Sequence, residues 1–459
     1  GKRKPIVAVK SGRTEGGARA ASSHTGSLAS FDVAVAALFS QVGVVRVDTL
    51  EELFDVTSLL ANQPVPTGRK VGLITNAGGP AILAVDALES QGLEVPQFSE
   101  ELKAKMREYL PPDASVTNPV DMIAAAGPEE YRRTIELLLA SDEIDSLITL
   151  FIPASNVGVP ETAAAIKEAI EDSEHDKTVL AVYMHSGAVP TEIMSNKVKF
   201  PVFPFPERAA KALRKAVGYA EWLEEPVGEH VVFDDVDVEA ARAIIDRAVE
   251  GVDESGAWLD PDDVDLVLAA YGINIPRAAV VETADEAVAF AEELGGPIVL
   301  KVISPSAVHK SDVGGVALNL AEPDEIREAF DAVMSAVPDP EGVLVQEFVA
   351  GGHEVLIGMV EDPNFGPLIV FGLGGVFVEL IGDVAFRIHP ITDYEARDMI
   401  SDVKSAKLLD GYRGGDPGDI DAVVDTLLRV SSLIEDLPEV FEMDMNPVKV
   451  GRPGQGVRI

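Results

Sequence analysis

Along the first half of the chain, short apolar runs alternate with stretches of helical spacing. PIVAVKSG, beginning at Pro5, is predicted as a buried strand and the glycine-rich run through Ser27 as a loop. FDVAVAALFSQVG reads as a helix with Ser30 at its N-cap and Gly43 as its stop. With no strand or helix ahead of it, this set implies a domain entered part-way, and so a fragment of a longer chain. After the proline-punctuated boundary ANQPVPTGRK, residues 61–70, strands are predicted in KVGLITNAGG, SLITLFIPA, TVLAVYMHSG and FPVFPFP, with helices such as ETAAAIKEAIED between them. Strands alternating with helices imply a parallel, doubly wound sheet over residues 69–222. The acidic, weakly periodic EEPVGEHVVFDDVDVEA forms the next boundary. Beyond it come a helix, strand RAAVVE, helix TADEAVAFAEELG, strand PIVLKVIS, a glycine hairpin, strand VALNL and further strand-rich segments, an α+β pattern.

A length of 459 residues with 47% hydrophobic content supports roughly three domains, each with its own core. No signal-peptide pattern opens the chain and no run of about 18 uncharged apolar residues follows, so neither a leader nor a membrane span is expected. Zero cysteines exclude disulfides, thiolate metal sites and a cysteine nucleophile, which fits a reducing, cytoplasmic setting. The net charge of −40, from 77 acidic and 37 basic residues, would repel nucleic acid and matches a halophilic protein in a salt-rich cytoplasm. The N-terminal stretch inverts the sign: Lys2, Arg3, Lys4, Lys10, Arg13 and Arg19 face only Glu15 on the way to His24. This basic island reads either as an anion site or as a solvated tail.

His24 stands in AASSHTGSLAS among small hydroxylated residues, so it is either an incidental loop residue or a side chain that must be reached. TNAGGPAILAVDAL puts Asn76, Gly78 and Gly79 between a strand and a helix. Bare amides at a helix start suit a phosphoryl group, although the same glycines serve a tight turn with no ligand. In PIVLKVISPSAVHKSDVGGVALNL, Lys301 lies inside an apolar strand, where a buried ammonium calls for an anion. His309 follows in the polar glycine hairpin, a common place for a surface histidine. FEMDMNPVKV has a period of two, so Glu442, Asp444 and Asn446 share one strand face and Phe441, Met443 and Met445 the other. Three oxygen donors suit Mg²⁺ bridging phosphates, or form the polar outer face of an antiparallel strand. Upstream, Glu347, Glu354 and Glu379 with the flexible GLGG add carboxylates, and with the lysine they favour nucleotide binding.

Taken in order, SGRTEGGARAASSHTGSLAS, TNAGGPA with TNPVDM, KVISPSAVHKSDVGGV, VQEFVAGGHE and DMNP resemble the NDP-forming acyl-CoA synthetases, in particular the ADP-forming acetate–CoA ligases, relatives of succinyl-CoA synthetase. The resemblance implies an α/β multidomain fold of two flavodoxin-like, succinyl-CoA-ligase-type domains followed by an ATP-grasp unit. These would occupy residues 1–62, a partial domain with the phosphohistidine loop, then 69–222, then 240–459, the last with a small subdomain over 255–340. It also implies the reaction: acyl-CoA and phosphate give acyl phosphate and CoA, the phosphoryl group moves to His24, and ADP receives it. His309 matches a second phosphohistidine. Nucleotide contacts would come from Lys301, Glu347, Val349, Glu354 and Arg387, the turn Asn76, Gly78 and Gly79 would hold the phosphorylated histidine, and Asp444 and Asn446 would bind Mg²⁺. ATP or ADP and CoA are then substrates, and a homo-oligomer without nucleic-acid or membrane partners is expected. The family's CoA-binding domain and an early acidic residue that orients the histidine are not in these residues, so both are expected from a missing N-terminal region or a separate chain. A further metal-binding aspartate would lie beyond GQGVRI. The alternative is a regulatory or binding module like those fused to protein acyltransferases, but such relatives lack the catalytic histidine. An ordinary ATP-grasp carboxylate–amine ligase would explain the C-terminal third and leave His24 unused.

Overall fold

In the computed structural model, which describes residues 1–11, 32–153, 159–184, 191–193, 199–252, 256–304, 314–374 and 383–459, strand β1 (Ile6–Val9) pairs in parallel with β2 (Val44–Val47). The helix Asp32–Val42 precedes β2 and stops at Gly43, whose φ of +66° suits glycine. Ser30 lies outside the described residues. The apolar run of β1 predicts a buried strand, but Ile6 is 50% exposed. The reason is position: among the described residues β1 pairs with β2 alone, and only Val7 and Val9 reach the core.

Next come the helix Leu50–Asn62, whose first turn is capped by Thr49, and a sheet of five strands. These are β3 (Val71–Thr75), β4 (Val120–Asp121), β5 (Ser146–Phe151), β6 (Thr178–Tyr183) and β7 (Val202–Phe203), all parallel, in the order β4-β3-β5-β6-β7. Every residue of β3, β5 and β6 is buried, because helices cover both faces. Helices Gly78–Ser90, Pro206–Glu224 and Leu50–Asn62 contribute Leu88, Leu213 and Leu59 to one side. Helices Pro128–Leu139 and Val159–Asp172 contribute Ile135 and Ile166 to the other. The short β4 meets only the end of β3, with Asp121 also bridged to Ser115 on its other side, and the buried Asn118 completes the β3 edge. Its Oδ1 accepts from Leu73 N at 3.0 Å and its Nδ2 donates to Val71 O at 2.8 Å. All of this belongs to one compact unit, Gly1–Pro226.

The second unit, Val227–Ile459, opens with helices Val238–Val249 and Pro261–Ala270. Strands β8 (Ala278–Val281), β9 (Ile298–Ile303), β10 (Val316–Leu320) and β11 (Gly342–Glu347) make an antiparallel sheet ordered β10-β9-β11-β8. Helices Ala284–Leu294 and Pro323–Ser335 pack on one face, against Ile298, Leu300 and Val302. By alternation, Lys301, Leu344 and Gln346 point from the other face, where they are half-buried. A second antiparallel sheet, ordered β14-β13-β12-β15-β16, consists of β12 (His353–Asp362), β13 (Gly366–Leu373), β14 (Val384–Ile388), β15 (Glu442–Val450) and β16 (Val457–Arg458). Helices Asp393–Asp402 and Ile420–Asp436 cover one of its faces, burying Ile357, Ile369, Phe371 and Met445 against Met399 and Leu427. The other face carries the polar residues of β15.

Candidate functional site

In the first unit, β3 runs into a turn whose geometry is held by side chains rather than left open. Asn76 is buried; its Nδ2 donates to Ile152 O at 2.7 Å and its Oδ1 accepts from Ile152 N at 2.9 Å. Its amide is therefore committed to tying the ends of β3 and β5 together, and Asn76 positions the turn instead of offering a side-chain ligand. The helix that follows starts at Gly78 with Ala77 as an extended N-cap, no capping side chain and no acid in its first turn. Its first amides are thus unsatisfied by any side chain. A Cβ on Gly79 would meet nothing within 4 Å, whereas one on Gly78 would stand 2.8 Å from Asp121 Oδ2. Asp121 is fixed in turn, its Oδ1 accepting from Ile123 N at 3.0 Å. Beneath, Tyr131 donates to Leu150 O at 2.8 Å, and burial, reinforced by the Asp121 charge, holds its hydroxyl well above the usual tyrosine range.

In the second unit, a cleft of about 640 Å³ lies beside the linker between β11 and β12, lined by Glu347, Val349, Gly351, Lys449, Arg452 and Arg458 among others. Backbone bonds hold the linker at its start: Glu347 N donates to Arg277 O and Phe348 N to Pro297 O, both at 2.9 Å. Glu354, on β12, accepts from Lys449 Nζ at 2.7 Å. Lys301 is half-buried rather than buried, and its Nζ donates to Gln346 Oε1 at 2.8 Å. Its strand has one open face, so a charged tip there keeps contact with water. Nearby, burial and then Asp262 push the Asp265 carboxyl up, while the Lys301 charge pulls the other way.

Further along β15, Glu442, Asp444 and Asn446 are all exposed, while Met445 is buried, as the alternation predicts. Asp444 lies opposite Gly358, so no side chain on the partner strand covers it. Desolvation and then the neighbouring Glu442 carboxylate push the Asp444 carboxyl above its ordinary value. Among the described residues no three His, Asp or Glu side chains converge on one point. Two donors on an uncovered strand face, one of them a carboxylate with a like-charged neighbour, nevertheless fit a hard cation whose remaining ligands come from phosphates.

Arg387 departs from this grouping. It pairs with Ile369 in the register of β13 and β14, which puts it on the helix-covered face, whereas Asp444, Gly358, Val370 and Phe386 share the open one. It is 3% exposed, and its Nη2 donates at 2.6 Å to both Asp398 and Asp402. The fold thus gives Arg387 a bracing role under the sheet and does not bring it to the cleft. Glu347, Val349 and the Lys449 partner of Glu354 do gather there. His24, His309 and Glu379 lie outside the described residues. Sequence reasoning passed over Asp121, Gln346 and Lys449; TNPVDM contains the first, but nothing in its spacing announces contact with Gly78.

Residues 1–60 match the succinyl-CoA ligase like flavodoxin domain, 71–198 the Ligase-CoA domain and 250–457 the ATP-grasp domain. The acetate–CoA ligase [ADP-forming] I of Archaeoglobus fulgidus is 40% identical over 99% of this chain and 65% of its own length. The acetate–CoA ligase [ADP-forming] II subunit beta of Pyrococcus furiosus is 47% identical over 41% of this chain and 84% of that subunit. The chain belongs to the NDP-forming acyl-CoA synthetase family. It spans 65% of the length of the Archaeoglobus synthetase. A structure of acetyl-coenzyme A synthetase 1 from Ca. Korarchaeum cryptofilum, in complex with coenzyme A, Ca-AMPCP and HgCl+, is 41% identical, covering 48% of this chain and 96% of that chain at a TM-score of 0.44. The order of matched domains along the chain is the expected one, two succinyl-CoA-ligase-type domains and then ATP-grasp. No helix among the described residues is long and apolar enough to cross a membrane.

Proposed function

We propose that this chain carries the phosphohistidine and nucleotide half of an ADP-forming acyl-CoA ligase of the acetate–CoA ligase type. Phosphate attacks the acyl-CoA carbonyl and the thiolate leaves as CoA, giving acyl phosphate. Neutral His24 then attacks the phosphorus, the carboxylate leaves, and the phosphorus–nitrogen bond holds the phosphoryl group until a terminal oxygen of ADP takes it and restores the imidazole. His309 would serve as a second carrier on the way to the nucleotide. The open amides at Gly78 and Gly79 favour a docked phosphohistidine through the partial positive charge of the helix start. Asn76 keeps that turn in place through Ile152.

On the ATP-grasp side, the linker with Glu347 and Val349 would receive the nucleotide base, Glu354 the sugar and Lys301 the phosphates. Asp444 and Asn446 would hold Mg²⁺, which when bound neutralises phosphate charge. The observation that carries the reading is the ordered match of all three domains along the chain. CoA binding would come from a further region or partner chain, in keeping with a relative that is named as a subunit. Incubation with labelled ATP and Mg²⁺ should give acid-labile, base-stable label on the protein. His24→Ala should abolish it with the fold intact, and His309→Ala should block transfer to His24 while sparing nucleotide binding. Parental labelling of the His24→Ala variant would refute the assignment.

A further inference from the structure

Glu354, Lys449 and Arg458 occupy matched positions on the adjacent strands β12, β15 and β16. They stand on the face away from the core, since their neighbours Val355, Val448, Val450 and Val457 are buried under the helices. Lys449 returns to this open face only because β15 carries one extra residue: Met445 pairs with Ile357 but Val448, three residues on, pairs with Val355, two residues back. The alternation flips at Asn446–Pro447, and Lys449 ends up beside Glu354 instead of under the sheet.

Glu354 is held from two sides. Lys449 Nζ binds its Oε1 at 2.7 Å, with the side chains 28% and 42% exposed. Its carbonyl accepts from Gly374 N at 2.7 Å, and a Cβ on Gly374 would come within 3.1 to 3.3 Å of the Glu354 backbone and Cβ. Among the described residues the Lys449 ammonium meets Oε1 and no donor meets Oε2. A half-exposed pair of this kind adds at most about 1 kcal/mol to stability, so its worth to the fold is small. Its geometric effect is larger: a carboxylate fixed by one oxygen presents the other in a set direction, at the edge of a cleft that Lys449 itself lines.

We propose that Lys449 is a positioning residue for nucleotide selection, aiming Glu354 Oε2 at the vicinal diol of a ribonucleotide lying in the linker cleft. This rests on the reading of that cleft as the nucleotide site. Lys449 makes no contact with the ligand in this scheme; it acts by holding Glu354 Oε1, so that Oε2 keeps one direction toward the cleft.

The test is calorimetric titration of the 459-residue chain with ADP and with 2′,3′-dideoxy-ADP, in parallel for the parent, Lys449→Met, Lys449→Arg and Glu354→Gln. A hydrogen bond to a charged acceptor makes the parent prefer ADP by about tenfold or more. Lys449→Met should bring that ratio to within about threefold of unity, Lys449→Arg should restore most of it, and Glu354→Gln should remove it. A structural effect of Lys449→Met would weaken both ligands alike and leave the ratio unchanged. A parental ratio in Lys449→Met, with the ratio lost in Glu354→Gln, overturns the role of Lys449 and leaves the cleft reading standing. If Glu354→Gln changes neither affinity nor ratio, the cleft reading itself falls, and the proposal with it.

Discussion

Asp121 Oδ2 stands 2.8 Å from the point that a Cβ on Gly78 would occupy, and its other oxygen is bound to Ile123 N. The carboxylate cannot retreat without giving up that bond. Gly78→Ala should therefore cost about 1–3 kcal/mol, whereas Gly79→Ala, with open space around it, should be neutral or stabilising by up to about 1 kcal/mol. Thermal unfolding of the two variants measures the contrast. Equal losses would mean that the Asp121 contact does not shape the turn.

Asp444 is expected to show its raised pKa in metal binding. A proton competes with Mg²⁺ for this carboxylate, and because desolvation and Glu442 hold its pKa up, affinity should begin to fall at a higher pH than for an ordinary aspartate. Glu442→Gln should move that fall to lower pH, and Asp444→Asn should raise the Mg²⁺ needed for ATP binding. Linkage gives the companion sign for stability: a carboxyl with a raised folded pKa favours the folded state at low pH and loses that contribution as pH rises through the folded pKa. Titrations from about pH 4 to about pH 8, from the ordinary carboxylate range upward, would reveal either trend.

Arg387 offers a test of a residue that sequence resemblance put at the nucleotide and the fold puts elsewhere. Burial alone would lower the pKa of its guanidinium, but Asp402 and Asp398 outweigh that, so the cation is firmly paired. Arg387→Met should destabilise by about 3 kcal/mol, toward the lower end for a broken buried pair because Asp398 and Asp402 can regain water. ADP affinity measured on the folded variant should stay within about twofold of the parent, less than the loss of one hydrogen bond to a charged group would cause. A large loss of affinity without loss of stability would return Arg387 to the nucleotide.

The alternation in FEMDMNP shows how far sequence alone reached. It correctly put Glu442, Asp444 and Asn446 on one exposed face with Met445 turned to the core. Strand periodicity reports which residues share a face; it does not report where a strand gains a residue, and so Lys449 went unnoticed until the register with β12 was known. The same limit explains Arg387, whose face depends on pairing with Ile369. Asn76 was legible as a turn residue, but its side-chain partner, Ile152, is far off in sequence and belongs to the end of another strand. Burial of β1 was overread because apolar composition does not reveal how many neighbours a strand has. Family and domain order, by contrast, came through clearly, since several motifs in sequence constrain one another.

Salt should matter to this chain as a whole. With a net charge of −40, self-repulsion acts over a screening length of about 10 Å at 0.1 M ionic strength and about 3 Å at 1 M. We expect the melting temperature to rise by roughly 5 °C or more between those conditions, a shift equivalent to a couple of kcal/mol for domains of this size. Differential scanning calorimetry in KCl gives the answer directly. A flat response would mean that the acids are paired locally and that the halophilic reading is wrong.

Asn118 has a consequence for how the interior of the first unit tolerates change. By accepting from Leu73 N and donating to Val71 O, its amide takes the place of a strand residue opposite Gly72, where the two-residue β4 does not reach. Both groups are buried, so without it a donor and an acceptor would be cut off from water inside the protein, at a cost of about 1–3 kcal/mol each. One buried side chain thus fills the gap between the Glu94 backbone, which serves the start of β3, and β4, which serves its end, so that the strand is supplied with partners along its whole length.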